Sequence, residues 1–359
     1  MMDTGAAPYR VSPVRPLAVG DLLAGRRVEG FAWQGPGGES THQDDRLLLD
    51  GDEALTSPPD RPVPQTAEGA EQTGIMPPAD LPSERVVAAG AIDPAIPPRA
   101  DLLLNLPGVA WQPLARPLIA AVHATGHRLW LAGGAARDLV AGVPLHEVND
   151  LDLTGTVGPG RFTDIMYQTQ RALGMTEFRR TITPNSLVCA LVPPRSNERL
   201  IEYRGLYRGG FRFPAVGSGI TEDSAMRDFS FNALLYDVLD HLVLDGCGTG
   251  VRDLRDAKRR FAPLNPSDDP LTRAFIVVRA MKFALRWREN IPLDLTPLHD
   301  WVAGLPTDLC QRLSRGDWNG LTSAYRRMTE ASKELQQEFA STLPEPGREL
   351  IETLIGRIR

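Results

Sequence analysis

The sequence predicts a mixed α+β unit followed by an all-helical domain, both behind a Pro/Gly-rich N-terminal extension. Three observations lead there. From near Asp101 to about Asp253, short apolar runs alternate with segments of helical spacing. From Asp269 onward the spacing is helical, broken near Pro292 to Pro297 and around Pro344 to Gly347. Residues 1 to about 100 carry the pairs Pro58-Pro59, Pro77-Pro78 and Pro97-Pro98 and mostly lack sustained periodicity. The expected domains are 1–104, a partly disordered extension with a small hairpin near Val28 to Leu49; 105–255, the α+β unit; and 256–359, the helices.

Within the α+β unit, Leu114, Leu118, Ile119 and Val122 give Pro113 to Ala124 one apolar helical face. Arg128 to Ala132 is a short apolar strand running into Gly133-Gly134. Ala135 to Ala141 is a helix, stopped by Gly142 and Pro144. Leu151 to Thr154 is a strand, and Arg161 to Leu173 a helix with Phe162, Ile165, Met166 and Leu173 apolar. Ser186 to Val192 and Arg199 to Tyr203 read as strands joined by a turn at Pro193 to Asn197. Phe229 to Val238 is apolar and fits helix or strand, and His241 to Asp245 is a strand. Beyond Arg288, Leu298 to Leu305, Leu309 to Leu313, Trp318 to Phe339 and Arg348 to Ile358 allow four helices. Trp318, Leu321, Tyr325 and Met328 form an apolar stripe expected in the core.

Bulk composition narrows the function classes. The 359 residues suffice for two or three domains, and 42% apolar with 23% charged content is ordinary for a globular protein. No apolar run approaches the roughly 18 residues of a membrane span, and Met1 to Arg15 lacks an apolar signal region, so the expectation is a cytoplasmic chain without membrane partners. Cys189, Cys247 and Cys310 are scattered and form no metal or disulfide pattern. A net charge of −6 excludes a wholly basic surface. One stretch is basic: Arg252, Arg255, Lys258, Arg259, Arg260, Arg273, Arg279, Lys282, Arg286 and Arg288 are opposed by Asp253, Asp256, Asp268 and Asp269. Such a stretch fits phosphate tracking or solvated helix faces equally.

The chemistry-bearing residues cluster. Gly133-Gly134 permits close backbone approach, and the helix that follows aims N–H groups at an anion. Asp150 and Asp152, at i and i+2 of a strand, share one face, while Leu151 and Leu153 face the core. Paired carboxylates suit a divalent cation. Glu202, inside the apolar run Leu200-Ile201-Glu202-Tyr203, is a third candidate; its plain alternative is an edge-strand salt bridge to Arg199 or Arg204. The glycine pair alone is also compatible with a tight turn. It is neither a Gly-x-Gly-x-x-Gly fingerprint nor a P-loop.

Four ordered pieces resemble one family. Gly133-Gly134-Ala-Ala-Arg137-Asp138, then Asp150-Leu-Asp152, is similar to the head-domain signature of the class II tRNA nucleotidyltransferases and bacterial poly(A) polymerases. Glu222-Asp223-Ser-Ala-Met226-Arg227-Asp228-Phe229-Ser230-Phe231-Asn232-Ala233 resembles the second signature. Asp245-Gly-Cys-Gly-Thr-Gly250-Val-Arg-Asp253-Leu254 resembles the hinge, and Asp268-Asp269-Pro270-Leu271 to Arg279-Ala280-Met281-Lys282-Phe283-Ala284 the base-reading helix.

The resemblance implies an α+β, polymerase-beta-like nucleotidyltransferase head with a mixed sheet. Asp150, Asp152 and Glu202 would be the catalytic, metal-holding carboxylates for two Mg²⁺ ions. Gly133, Gly134 and Arg137 would cradle phosphates, with Asp138 among the nucleotide-binding residues. Arg227, Asp228 and Asn232 would line the triphosphate and ribose, and Asp269 with Arg273 the base edge. The implied reaction transfers NMP from an NTP (CTP or ATP) to an RNA 3′-hydroxyl, with a tRNA end as the expected primer. The alternatives are transfer to a small molecule or protein, and a silent RNA- or nucleotide-binding homologue. The chain departs from the pattern where Met226 replaces the first arginine of Arg-Arg-Asp, and where Arg273 falls one place late, a rotation of about 100° on a helix.

Overall fold

The computed structural model describes residues 81–105, 108–145, 148, 150–183, 188–195, 199–208, 215–216, 219–328 and 331–357. The hairpin expected near Val28 to Leu49 lies outside them. The chain divides into two compact units. The first draws on Met1–Asp223 and Leu235–Gly246, the second on Ser224–Leu234 and Cys247–Arg359.

The first unit is an α+β layer. In chain order it contains β1 (Val86–Ala88), α1 (Ala89–Ile92), α2 (Ile96–Leu104), α3 (Gln112–His123), β2 (Leu129–Leu131), α4 (Gly133–Ala141), β3 (Leu151–Gly155) and α5 (Pro159–Ala172). Then follow β4 (Arg179–Thr183), β5 (Val188–Val192), β6 (Ile201–Gly205), a ribbon of β7 (Tyr207–Arg208) and β8 (Ala215–Val216), α6 (Ile220–Ala225), β9 (Leu234–Asp237) and β10 (Leu242–Asp245). Eight strands form one mixed sheet in the order β1-β10-β9-β2-β3-β6-β5-β4. β3 and β6 are parallel, so α5 and the β4–β5 hairpin supply the crossover that a parallel pair requires.

Helix α5 starts on Pro159, whose missing N–H costs nothing at a first turn. Phe162, Ile165 and Met166 repeat at helical spacing and are fully buried. Phe162 stacks on Tyr203 of β6 with ring centroids 3.7 Å apart. Burying an aromatic of this size contributes about 2–3 kcal/mol. The phenol of Tyr203 donates to the carbonyl of Val157 at 2.5 Å, which fixes β6 against the end of β3.

Residues upstream of 105 also contribute to the sheet. β1 pairs antiparallel with β10 in the register Val86 to Leu244, and Arg85 Nη1 donates to the carbonyl of Gly246 at 3.0 Å. Residues 81–104 thus include a strand of the head sheet. β4 was also not expected; its Arg-Arg-Thr-Ile-Thr run lacks apolar alternation, yet it pairs along its length with β5. The apolar run from Phe229 to Val238 resolves into a 3-10 turn, Ser230–Asn232, and strand β9.

The second unit is helical. It holds α7 (Gly250–Arg255), the pair β11 (Arg259–Arg260) and β12 (Leu293–Asp294), α8 (Pro270–Trp287), α9 (Thr296–Ala303), α10 (Leu309–Arg312), α11 (Arg315–Met328), α12 (Lys333–Thr342) and α13 (Glu345–Arg357). Its core is aromatic: Phe229 and Phe231 meet Phe261 and Phe283, and Trp287 closes on Phe231 at 5.1 Å. Edge-to-face contacts of this kind add about 0.5–1.5 kcal/mol per pair beyond burial. Five helices follow α8 where four were expected. The stretch from Trp318 to Phe339 is broken, and Ser332 caps the new helix by accepting from Leu335 N. Trp318, Leu321 and Tyr325 are buried as expected, while Met328 is half-buried. No helix among the described residues is long and apolar enough to cross a membrane.

Candidate active site

Strands β3 and β6 build the centre of the site. Their parallel register sets Asp152 directly opposite Glu202. The two side chains therefore project from the same face of neighbouring strands. Asp150 lies in the bend just before β3, so it approaches from the strand's entrance rather than from within it as expected. The three acids interact: burial pushes the Glu202 carboxyl up to about 7, Arg199 opposes the rise, and the charges of Asp152 and Asp150 add to it. Arg199 Nη1 stands 3.7 Å from Glu202 Oε1, the ion pair weighed as the plain reading. β6 is an interior strand, between β3 and β5, so an edge-strand explanation does not apply.

Helix α4 brings the glycine turn onto this centre. Ala132, its N-cap residue, offers no side-chain acceptor. Asp152 takes that role, with Oδ2 accepting from Gly134 N at 3.0 Å. Gly133 has φ +49, and a Cβ placed there would lie 2.4 Å from Asp152 Oδ2. No side chain fits between this backbone and the carboxylate, so the glycine is required both by conformation and by space. The cradle and the aspartate are one structure.

Arg137 and Asp138 face each other rather than an open cradle. Both are buried, and the guanidinium meets the carboxylate at 2.8 Å (Nε–Oδ1) and 3.0 Å (Nη2–Oδ2). Arg137 remains beside the turn, its Nη2 3.8 Å from the position of a Gly134 Cβ.

The remaining expected residues lie in the second unit. Asp228 accepts from Arg279 of α8, from Asn232 Nδ2 at 2.9 Å and from Phe229 N at 2.9 Å. Burial works against its charge, but these donors outweigh it and hold the carboxyl below the usual carboxylate range. Arg227 is half-buried, and the carbonyl of Met226 accepts from Asn265 Nδ2 at 2.7 Å. Asp269 caps α8, accepting from Thr272 N at 2.8 Å and from its hydroxyl at 2.7 Å. Arg273 is held by Asp268 and by the carbonyl of Ser267, 3.0 Å from Nε. Members of the basic stretch have partners within the chain as well: Arg252 with Asp253, Arg288 with Glu338, and Arg259 stacked 4.3 Å above Trp287. Arg199 was named only as a partner; its place three residues ahead of Glu202 is the signal that marks it.

Residues 129–260 match the family described as "Poly A polymerase head domain". Poly(A) polymerase I of Escherichia coli O6:H1 and that of Escherichia coli O157:H7 are each 28% identical over 193 residues, covering 50% of this chain and 40% of theirs. The likeness lies in the head region, where the chain is similar to the poly(A) polymerases. Among solved structures, the Bacillus stearothermophilus CCA-adding enzyme in complex with CTP is 19% identical with a TM-score of 0.46, covering 64% of this chain and 51% of that one. A tRNA nucleotidyltransferase with a primer tRNA and an incoming ATP analogue is 20% identical with a TM-score of 0.38, covering 66% and 74%. The chain thus spans less than half the length of the curated poly(A) polymerases.

The acids at β3 and β6 suit a hard divalent cation. They offer carboxylate oxygens only, and the Glu202 carboxyl is raised partly by its acidic neighbours. As placed, no group of three His, Cys, Asp or Glu side chains among the described residues closes to metal-holding distance.

Proposed function

We propose that this chain is an Mg²⁺-dependent RNA 3′-nucleotidyltransferase that transfers NMP from CTP or ATP to an RNA 3′-hydroxyl, a tRNA end being the expected primer. The observation that carries the reading is the register of Asp152 against Glu202, with Gly134 N–H on the same carboxylate. The names of the relatives, poly(A) polymerase I and CCA-adding enzyme, support it. The proposed setting is the cytoplasm, where nucleoside triphosphates and RNA ends meet.

In this reading the RNA 3′-oxygen bonds to the α-phosphorus, the α–β phosphoanhydride bond breaks, and pyrophosphate leaves with the electron pair. The hydroxyl proton passes to solvent. Bound Mg²⁺ would supply charge stabilisation for the entering and leaving oxygens. Asp150, Asp152 and Glu202 would hold it. Gly133 and Gly134 orient the triphosphate through backbone N–H groups. Arg137 and Asp138 keep α4 rigid beside that turn, and Arg199 neutralises Glu202 until cation and nucleotide arrive. Arg227, Asp228 and Asn232 are proposed to border triphosphate and ribose, and Asp269 and Arg273 the base.

A matrix of each labelled NTP against tRNA, other RNAs, and small-molecule and protein acceptors tests the proposal. The expected result is CMP or AMP transfer to an RNA 3′-end, dependent on Mg²⁺ and lost in Asp152→Asn. Label in a metabolite or protein with RNA inert would replace it with the second reading. One observation favours that reading: Asp269 and Arg273 are both engaged within their own turn. Nucleotide binding without transfer, unaffected by Mg²⁺ and by Asp152→Asn, would identify a silent homologue.

A further inference from the structure

Helix α4 is held at both ends by charged side chains from elsewhere in the chain. At the N-terminus the acceptor is Asp152. At the C-terminus the backbone turns through Gly142, with φ +77. There Arg99 of α2 donates from Nη1 to the carbonyl of Gly142 at 3.1 Å and from Nη2 to that of Val143. A carboxylate at the amino end and a guanidinium at the carboxyl end both complement the helix dipole. The nine residues of α4 make a rigid rod about 13 Å long between them.

Arg99 lies outside residues 129–260, the part matched by the family description. It belongs instead to the N-terminal segment that adds β1 to the sheet. That segment is itself anchored: Asp101 pairs with Arg116 of α3 at 2.7 Å, and Asn105 accepts from the same arginine at 3.2 Å. The Nε of Arg99 is buried without a partner, so the guanidinium is fixed on the two carbonyls at the cost of one unmet donor.

We propose that Arg99 is a positioning residue for the nucleotide. By fixing the carboxyl end of α4, it sets where the Gly133 and Gly134 N–H groups stand relative to Asp152, and hence how tightly a triphosphate is held. The clamp would matter most with a cation held by Asp152, since that carboxylate is also the acceptor for Gly134 N–H. The amino end of α4 then depends on the incoming phosphate and on the clamp at the far end. This inference rests on the proposed nucleotidyl transfer.

The test compares Arg99→Ala and Arg99→Lys with Arg85→Ala, a control in the same segment that bonds Gly246 on the β10 side. Steady-state kinetics, thermal melting and hydrogen exchange at the α4 amides are measured on the full chain. Arg99→Ala is expected to raise KM for the NTP roughly tenfold or more, with kcat changed far less. It should also speed exchange at Gly134 to Arg137 in the absence of nucleotide. Arg99→Lys recovers part of both effects, since an ammonium keeps the charge but not the two-pronged geometry. Arg85→Ala lowers the melting temperature without changing KM. Equal KM changes in Arg99→Ala and Arg85→Ala, or wild-type exchange at α4 in Arg99→Ala, overturns the proposal. Were the wild type to transfer no nucleotide at all, the functional reading would fail, while the exchange comparison would still decide whether Arg99 holds the glycine turn.

Discussion

Asp152 with Glu202, and Asp228 with its donors, answer the same physical demand in opposite ways. Each places carboxylate charge where water is scarce. Around Asp228 the demand is met: Arg279, Asn232 and the Phe229 N–H hold its carboxyl low. At β3 and β6 it is met only in part, by Arg199 beside Glu202 and Gly134 N–H on Asp152. Two acids stand side by side with a third at the strand entrance, and the Glu202 carboxyl is driven up to about 7, chiefly by burial. A satisfied acid is architecture, whereas an acidic cluster short of positive charge is a place for a cation to bind. The difference separates a carboxylate already held by donors of its own chain from a pair proposed to take up a cation.

Substitutions can break that contrast. Asp152→Asn keeps an acceptor for Gly134 N–H but loses the charge. It should cut nucleotidyl transfer by roughly 10⁴-fold, about 5 kcal/mol of transition-state stabilisation, with little change in melting temperature. Asp228→Ala should act on stability as well as on nucleotide binding, costing about 1–3 kcal/mol in denaturant unfolding as Arg279, Asn232 and the Phe229 N–H lose their acceptor. If the two substitutions exchanged phenotypes, the assignment of roles would be wrong.

A smaller effect sharpens the comparison with a group far from the acids. His127 is almost wholly buried; burial first, and then Arg161, lower its pKa to about 4. Between pH 6.5 and about 4 the unfolded chain binds a proton that the folded chain refuses. This contribution to stability is complete above pH 6.5 and is lost as pH falls toward 4, by up to about 3 kcal/mol. His127→Gln should flatten the stability profile in that window, as read by urea midpoints. Glu202→Gln is the mildest case. Removing one of the crowded charges should stabilise the fold by about 1 kcal/mol while abolishing transfer.

The sequence was legible where one residue type has one physical use. Gly133 before a helix, the i and i+2 aspartates, and the periodicity of α3, α5 and α8 all lead to what the structure contains. It was less legible where partners are distant or patterns short. β1 has three residues, and β4 opens on two arginines, so neither carries an alternating signal. The Asp228 network needs Arg279, 51 positions away, which no local pattern announces. Arg137 and Asp138 pair with each other, and Asp269 caps its own helix before Pro270, roles that adjacency and capping allow beside the ligand contacts their motifs suggest.

The crossover between β3 and β6 also bears on how the chain folds. Asp152 and Glu202 become neighbours only after α5 and the β4–β5 hairpin have closed a parallel pair, a slow non-local step. Their repulsion is therefore absent until β3 and β6 have paired. A divalent ion that relieves it has little to bind before that moment. Such an ion would leave the refolding rate nearly untouched and act by slowing unfolding, as an interaction absent from the transition state does. The site would then serve as a latch on a sheet that is already closed rather than as a nucleus for closing it.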